Sequence, residues 1–412
     1  MPKSLLDYEE IVGKINISIL RQLAENLKGA RVVHVNSTRV GGGVAEILDW
    51  LISLMNELGL EASWEVISGP PEFYFTTKTF HNALQGKPAS LTKTMVEAYE
   101  ETNRQTADKL RGTLEDADFV FVHDPQPAAL LEYCPNRKGK WIWRCHIDAS
   151  RPYRRVWKYL EEKVEKYDAS IFSMPSFAQR LPHPQFIIAP SIDPLSNKNC
   201  ELDPTEIRSA LETYGIENSK PVLTQISRFD RFKDPIGVIQ AFNMLRETID
   251  ADLILAGGGA SDDPEGQMVL EEVLEAANGD RQIHILNLPG DAHRMINALQ
   301  RASTIVLQKS LQEGFGLTVT EALWKEKPVI GGNVGGIRLQ VHNHHTGFLV
   351  NTPEGAALRM RYLLRHPEEL EYMGKTGKRF VQENFLLTRH LREYLTLMLG
   401  LRRGLANYLI TE

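Results

Sequence analysis

The stretch Glu313-Gly-Phe-Gly-Leu-Thr-Val-Thr-Glu321 follows the apolar run Thr304-Ile-Val-Leu307 and continues into Ala322-Leu-Trp324. The apolar run reads as a buried strand and the segment behind the glycines as the opening of a helix. Gly314 and Gly316 let backbone come within contact distance of a ligand, and the first N–H groups of a helix have no internal partner. Strand, glycine turn and helix therefore outline a phosphate site. Glu313 precedes the turn and Glu321 lies about one helical turn inside, so their carboxylates flank the bound group from different elements. A carboxylate close to a diphosphate is repelled by it, so both side chains are suited to neutral hydroxyls, those of a sugar or a ribose.

Working upstream, the strand-like run at residues 222–226 leads into Ser227-Arg228-Phe-Asp-Arg-Phe-Lys233-Asp234-Pro235. Two fixed cations just past a strand end suit an anionic ligand. Arg228 offers a bidentate fork and Lys233 a point charge. Further strand-like runs at residues 252–256, 283–286, 304–307, 328–330 and 348–350 alternate with helical segments, which predicts a Rossmann-like domain. Gly257–Gly259 reads as a turn that would lie near a nucleotide bound at this edge, without the GxGxxG spacing of a dinucleotide fingerprint. Backbone groups around residues 283–286, Ile285 among them, would be the contacts of such a ligand's base.

The first half repeats the alternation. A helix is expected over residues 1–30, with Ile11, Ile15, Ile19, Leu20 and Leu23 on its apolar face. Arg31-Val-Val-His-Val-Asn36 is a short buried strand, and Gly41, Gly42 and Gly43 open the next helix, the form of a ligand loop at a sheet edge. Strands are expected at residues 63–67, 119–122, 141–143, 169–172 and 186–188. Two of them end in polar residues, His123-Asp124-Pro125-Gln126 and Trp143-Arg144-Cys-His146-Ile-Asp148, which brings Arg144, His146 and Asp148 to one edge. Pro182, Pro184, Pro190 and Pro194 mark a linker between residues 181 and 203, and Asp203-Pro204 starts the next helix.

With 412 residues the chain is too long for one ordinary core, and two domains are expected. A net charge of −6 gives no general attraction to nucleic acid or anionic lipid. Cys134, Cys145 and Cys200 form no CxxC pair, which argues against a disulfide framework or a zinc module. No run approaches the ~20 apolar residues of a membrane span, and the N-terminus lacks a signal-peptide core, so a cytoplasmic protein is expected.

The E-x7-E stretch, the Arg228/Lys233 block, His34-Val-Asn-Ser-Thr-Arg-Val-Gly-Gly-Gly-Val-Ala-Glu46, the His123-Asp-Pro-Gln126 run and the Trp143–Asp148 run occur in one order. In that order they resemble the retaining GT-B nucleotide-sugar glycosyltransferases, and among these the trehalose glycosyltransferring synthases. The resemblance implies an α/β fold: two Rossmann-like domains facing a central cleft, with a C-terminal helix crossing back to the first domain. It implies an acceptor-binding domain at 1–200, a nucleotide-sugar domain at 201–385 and the terminal helix at 386–412. It implies reversible transfer of glucose from an ADP- or UDP-glucose to free glucose, forming trehalose, and leaves room for a homodimer.

The roles carried over are these. Arg228 and Lys233 bind the diphosphate. Glu313 binds donor-glucose hydroxyls, Glu321 the ribose, and the backbone of Gly314, Phe315, Gly316 and Leu317 the distal phosphate and sugar. Gly41–Gly43, Arg144, His146 and Asp148 lie near the acceptor, His146 bonding donor or acceptor sugar. Neither a metal nor another cofactor is expected: Asp262-Asp263 belongs to a polar loop, and His342-Asn-His-His345 reads as solvated imidazoles. Two other readings stay open. Arg151, Arg154 and Arg155 suit a phosphate-bearing acceptor, a glucan being the other alternative, and a silent nucleotide-sugar sensor would use the same pocket without turnover.

Overall fold

The computed structural model describes residues 4–39, 42–217, 219–258 and 264–404. The expectations for Gly41, Gly259 and Asp262-Asp263 lie outside these residues. The chain divides into two units, one of Met1–Pro190 with Leu387–Glu412 and the other of Ser191–Leu386.

In the first unit the buried runs become β1 (Arg31–Asn36), β2 (Glu61–Val66), β3 (Phe119–His123), β4 (Lys140–Cys145), β5 (Ala169–Phe172) and β6 (Gln185–Ile187). They form one parallel sheet in the order β2-β1-β3-β4-β5-β6. β3 and β5 are buried along their whole length, as strands covered by helices on both faces must be. Beside the sheet, Phe80 of the helix Pro71–Leu84 is fully buried, edge-on to Tyr99 at 5.0 Å and tilted against Tyr159 at 5.7 Å. Phe80→Ala should cost about 3–5 kcal/mol of stability, read from the urea midpoint.

The N-terminal helix is not continuous. Gly13 takes φ +82 and separates Glu9–Val12 from Lys14–Glu25. The break rephases the second piece, so that Ile17, Leu20 and Ala24 are buried while Ile15 is 77% exposed. The helix Leu387–Arg402 belongs to this unit and packs on Lys14–Glu25 and Gly43–Glu57. Arg389 ties it down by donating to the carbonyls of Ala189 and Pro190.

In the second unit β7 (Val222–Ile226), β8 (Asp252–Gly257), β9 (Ile283–Asn287), β10 (Ile305–Gln308), β11 (Val329–Gly332) and β12 (Gly347–Val350) form a parallel sheet in the order β12-β11-β10-β7-β8-β9. Its main core joins Leu223, Phe242, Leu253, Leu307, Ile330 and Phe348. Residues 191–200, expected with the first domain, belong here. Asn199 donates to the Asp193 carbonyl and accepts from Lys325 and, at its carbonyl, from the Trp324 indole N–H, while Asn297 donates to the carbonyls of Asn197 and Cys200.

Strand order reverses between β1 and β3 in one sheet and between β7 and β10 in the other. At such points adjacent connections leave the sheet in opposite directions and open a crevice at the strands' C-terminal ends. Among the described residues no helix is long and apolar enough to cross a membrane.

Candidate active site

The reversal in the second sheet gathers the charged residues expected of the site. β7 delivers Arg228 and Lys233, and β10 delivers the loop to Glu313. Asp230 accepts from the Phe232 N–H at 2.8 Å and turns the chain through one helical turn, Arg231–Lys233. Asp234 then takes a left-handed φ of +50, caps the helix Pro235–Arg246 and pairs with Lys309. Gln225 donates to the Lys233 carbonyl at 2.9 Å. Lys233 is thus anchored on both sides.

Its ammonium donates to Glu313 Oε2 at 2.5 Å. Ser310 Oγ and Gln308 Nε2 donate to the same oxygen at 3.3 and 3.4 Å. An ammonium has three donors and a carboxylate two oxygens. With the three bonds converging on Oε2, Lys233 keeps donors and Glu313 keeps Oε1 for a ligand. Arg228 is more open, its side chain 62% exposed, with Nη2 on Asp230 at 3.1 Å.

The turn behind Glu313 is held from below. Gly316 takes φ +82, a left-handed conformation that disfavours side chains, and caps the helix Leu317–Trp324. The Gly336 N–H donates to the Gly314 carbonyl, and Gln340 Nε2 to that of Phe315 at 2.7 Å. With these carbonyls turned onto the 335–340 segment, Gly314, Phe315, Gly316 and Leu317 present backbone at the sheet edge. A Cβ at Gly335 would stand 1.7 Å from the Glu313 carbonyl oxygen, so only glycine permits this approach.

Glu321 is on the helix but buried, with Gln300 Nε2 at 3.3 Å and Lys198 at 3.6 Å from its two oxygens. Beneath it Lys325 donates to Asn199, Gln300 and the Glu321 carbonyl, and burial pushes its ammonium down to about 7 despite the nearby carboxylate. Ile285 is not brought to the Lys233–Glu313 pair, since β8 lies between β9 and β7 and its side chain packs on the core. His342, His344 and His345 are exposed, the first two edge-on to Phe380 and Phe348.

In the first unit Gly42 takes φ +82 and caps Gly43–Glu57 at the end of β1. Asp124, also left-handed at φ +63, accepts from the His146 backbone N–H at 2.7 Å and fixes that residue beyond β4. Burial pushes the Asp124 carboxyl up to about 7, opposed by that bond and by Arg144. Asp148 accepts from the Ser150 N–H in a local turn. Arg144 is fully buried on β4, an interior strand, and donates to Ser173 Oγ at 3.4 Å, with its Nε and Nη1 left without hydrogen-bond partners.

Sequence reasoning missed Gln308, Ser310, Gly335 and Gln340, which hold the Glu313 turn, and Lys198 and Gln300 on Glu321. The repeated pair in Gly331-Gly-Asn-Val-Gly-Gly336 was the available signal for the platform. The polar side chains left none, since each is ordinary for a loop or helix surface.

The sequence family described as "Trehalose synthase, N-terminal domain" matches residues 34–179, and "Glycosyl transferases group 1" matches residues 207–380. The chain is 47% identical over 401 residues to a trehalose synthase of Pyrococcus horikoshii, covering 96% of both chains. It is 42% identical over 402 residues to one of Rubrobacter xylanophilus, again covering 96% of each. A UDP-forming α,α-trehalose-phosphate synthase from Burkholderia xenovorans, solved with glucose-6-phosphate, superposes with a TM-score of 0.75 at 14% identity, over 90% of this chain and 100% of that one.

Proposed function

The chain belongs to the trehalose synthase family of glycosyltransferases and has the GT-B fold, and on that premise we propose that it makes trehalose from a nucleoside-diphosphate glucose and free glucose. The reaction is reversible and retains the donor's anomeric configuration. The observation that carries this reading is the Lys233–Glu313 pair at the strand reversal of the second sheet, a cation and a hydroxyl-binding carboxylate set against a glycine turn.

In this mechanism Lys233 and Arg228 hold the diphosphate, and Lys233 is close enough to Glu313 for one side chain to meet phosphate while the other meets the sugar. Glu321 takes the ribose, exchanging its contact with Lys198 or Gln300. The backbone at Gly314–Leu317 takes the distal phosphate and sugar, and the first turn of the helix adds its dipole. His146 bonds a sugar hydroxyl. The C1–phosphate oxygen bond breaks as the acceptor oxygen attacks C1 from the same face, and the acceptor's proton passes to the leaving phosphate oxygen. Catalysis is then chiefly electrostatic, with Arg228 and Lys233 doing what a divalent cation would otherwise do.

A phosphate-bearing acceptor is the second reading, supported by Arg151, Arg154 and Arg155, all exposed near the start of the helix Arg154–Val164. The test is incubation with ADP- or UDP-glucose and glucose in excess EDTA, with product analysis. We expect a non-reducing disaccharide at an unreduced rate. Turnover with glucose-6-phosphate alone would select the second reading, dependence on added metal would remove the cation role of Arg228 and Lys233, and nucleotide binding without turnover would mark a sensor.

A further inference from the structure

Three imidazoles form a line in the first unit that no step above uses in full. His34 stands opposite Phe121 in the β1–β3 ladder, and His123 opposite Arg144 in the β3–β4 ladder. His123 is two residues beyond Phe121, and His146 two beyond Arg144. Residues two apart on a strand share a face, so each ring is one step nearer the sheet's C-terminal edge than its neighbour. The rings meet along this diagonal: His34 Nδ1 to His123 Nε2 at 3.0 Å, and His123 Nδ1 to His146 Nε2 at 2.9 Å. His34 stacks on Phe121 at 4.7 Å, and Phe121 stacks in turn on Tyr394 at 4.9 Å, which packs the inner ring in an aromatic cluster. His34 and His123 are buried and His146 is part-exposed.

Burial pushes His34 down to about 3 and His123 and His146 well below the usual histidine range, the charge of Arg144 adding to the effect at the latter two. All three are therefore neutral, each with one N–H and one lone pair. Two bonds among three neutral rings allow only two proton arrangements. Either every ring carries its proton on Nδ1 and the chain donates outward, or every ring carries it on Nε2 and the chain donates inward. The inner end decides between them. His34 Nε2 is buried without a hydrogen-bond partner. A buried N–H with no acceptor is the rarer and costlier orphan, and a bare lone pair is the better tolerated of the two.

We propose that His34 and His123 are positioning residues that hold His146 in the Nδ1–H tautomer, so that its outer nitrogen offers a donor to a sugar hydroxyl. The sugar contact rests on the function proposed above, but the tautomer does not. A neutral imidazole in water prefers Nε2–H, so the relay reverses the ordinary choice. The Asp124 bond to the His146 backbone keeps the ring aligned with the relay.

Long-range nitrogen-15 spectra of the histidine-labelled full chain read the tautomers directly and need no turnover. The expected result is Nδ1–H at His34, His123 and His146, whether or not the protein proves to make trehalose. Nε2–H or a charged ring at His146 near neutral pH would overturn the relay. In His123→Phe the outer ring loses its donor and should shift toward Nε2–H, and the KM for the sugar nucleotide should rise about tenfold, the worth of one hydrogen bond, with kcat less affected. His123→Asn, whose amide nitrogen stands near the place of Nδ1, should restore most of both. An unchanged His146 tautomer in a folded His123→Phe would also overturn the proposal.

Discussion

Lys233→Ala lowers kcat/KM for the sugar nucleotide by at least 10²–10³-fold, the loss that follows removal of one fixed donor to a developing anion. On the proposed reaction two effects add. The departing diphosphate would lose a cation held at the strand end by Gln225 and by the Asp230 turn. Glu313 loses its partner at 2.5 Å and becomes an unpaired, largely buried carboxylate beside a polyanion, which it repels. The second effect can be isolated. Glu313→Gln in the Lys233→Ala background removes that repulsion and should recover part of the loss, so the two substitutions are non-additive in a double-mutant cycle. Lys233→Arg should not rescue, because a planar fork cannot occupy the ammonium's position between Glu313 and the ligand. Steady-state kinetics, with circular dichroism to verify the fold, decide the matter. Activity of Lys233→Ala within threefold of wild type would remove the pair from the mechanism.

Particular residues show what the chain discloses and what it withholds. The strands of both sheets were readable because parallel strands are apolar on both faces and leave unbroken runs such as Phe119-Val-Phe-Val. Glu313, Lys233 and Arg228 were readable because a glycine turn after a strand and cations at a strand end are local patterns. That β7 and β10 are neighbours, so that Lys233 meets Glu313 across 80 residues, is a property of strand order and not of any window of sequence. The burial of Arg144 was hidden for the same reason: an arginine at the end of a short apolar run reads as an edge residue, and the strands on either side of β4 are not legible in that run. Residues 191–200 looked like linker by their prolines and asparagines, yet Asn199 spends its polar atoms on Asp193, Trp324 and Lys325, partners that composition cannot indicate. Glu321 is the fifth residue of Leu317–Trp324, about one turn in as its spacing implied, but its burial against Lys198 and Gln300 depends on partners that its own stretch does not name.

The platform under the Glu313 turn makes the last prediction, and a second glycine calibrates it. Gly335→Ala faces two penalties. Its φ of +44 is a left-handed conformation, costing about 1–2 kcal/mol for a residue with a Cβ. The new Cβ would also stand 1.7 Å from the Glu313 carbonyl oxygen and 2.8 Å from its carbonyl carbon. Backbone cannot swing aside as a lysine tip can, so the turn carrying Glu313 must retreat. Gly215 has a similar φ of +66 with nothing within 4 Å of its Cβ position, so Gly215→Ala meets the first penalty alone. The pair separates backbone strain from displacement of the site. Gly215→Ala should lower stability by about 1 kcal/mol and leave kcat/KM as it is. Gly335→Ala should lose more stability and at least 10²-fold in kcat/KM, since a shift of about 1 Å in a group that positions the reacting sugar is enough for that loss. If Gly335→Ala loses stability but keeps wild-type kcat/KM, the turn carries Glu313 without aiming it, and the carboxylate's grip on the donor must be set elsewhere.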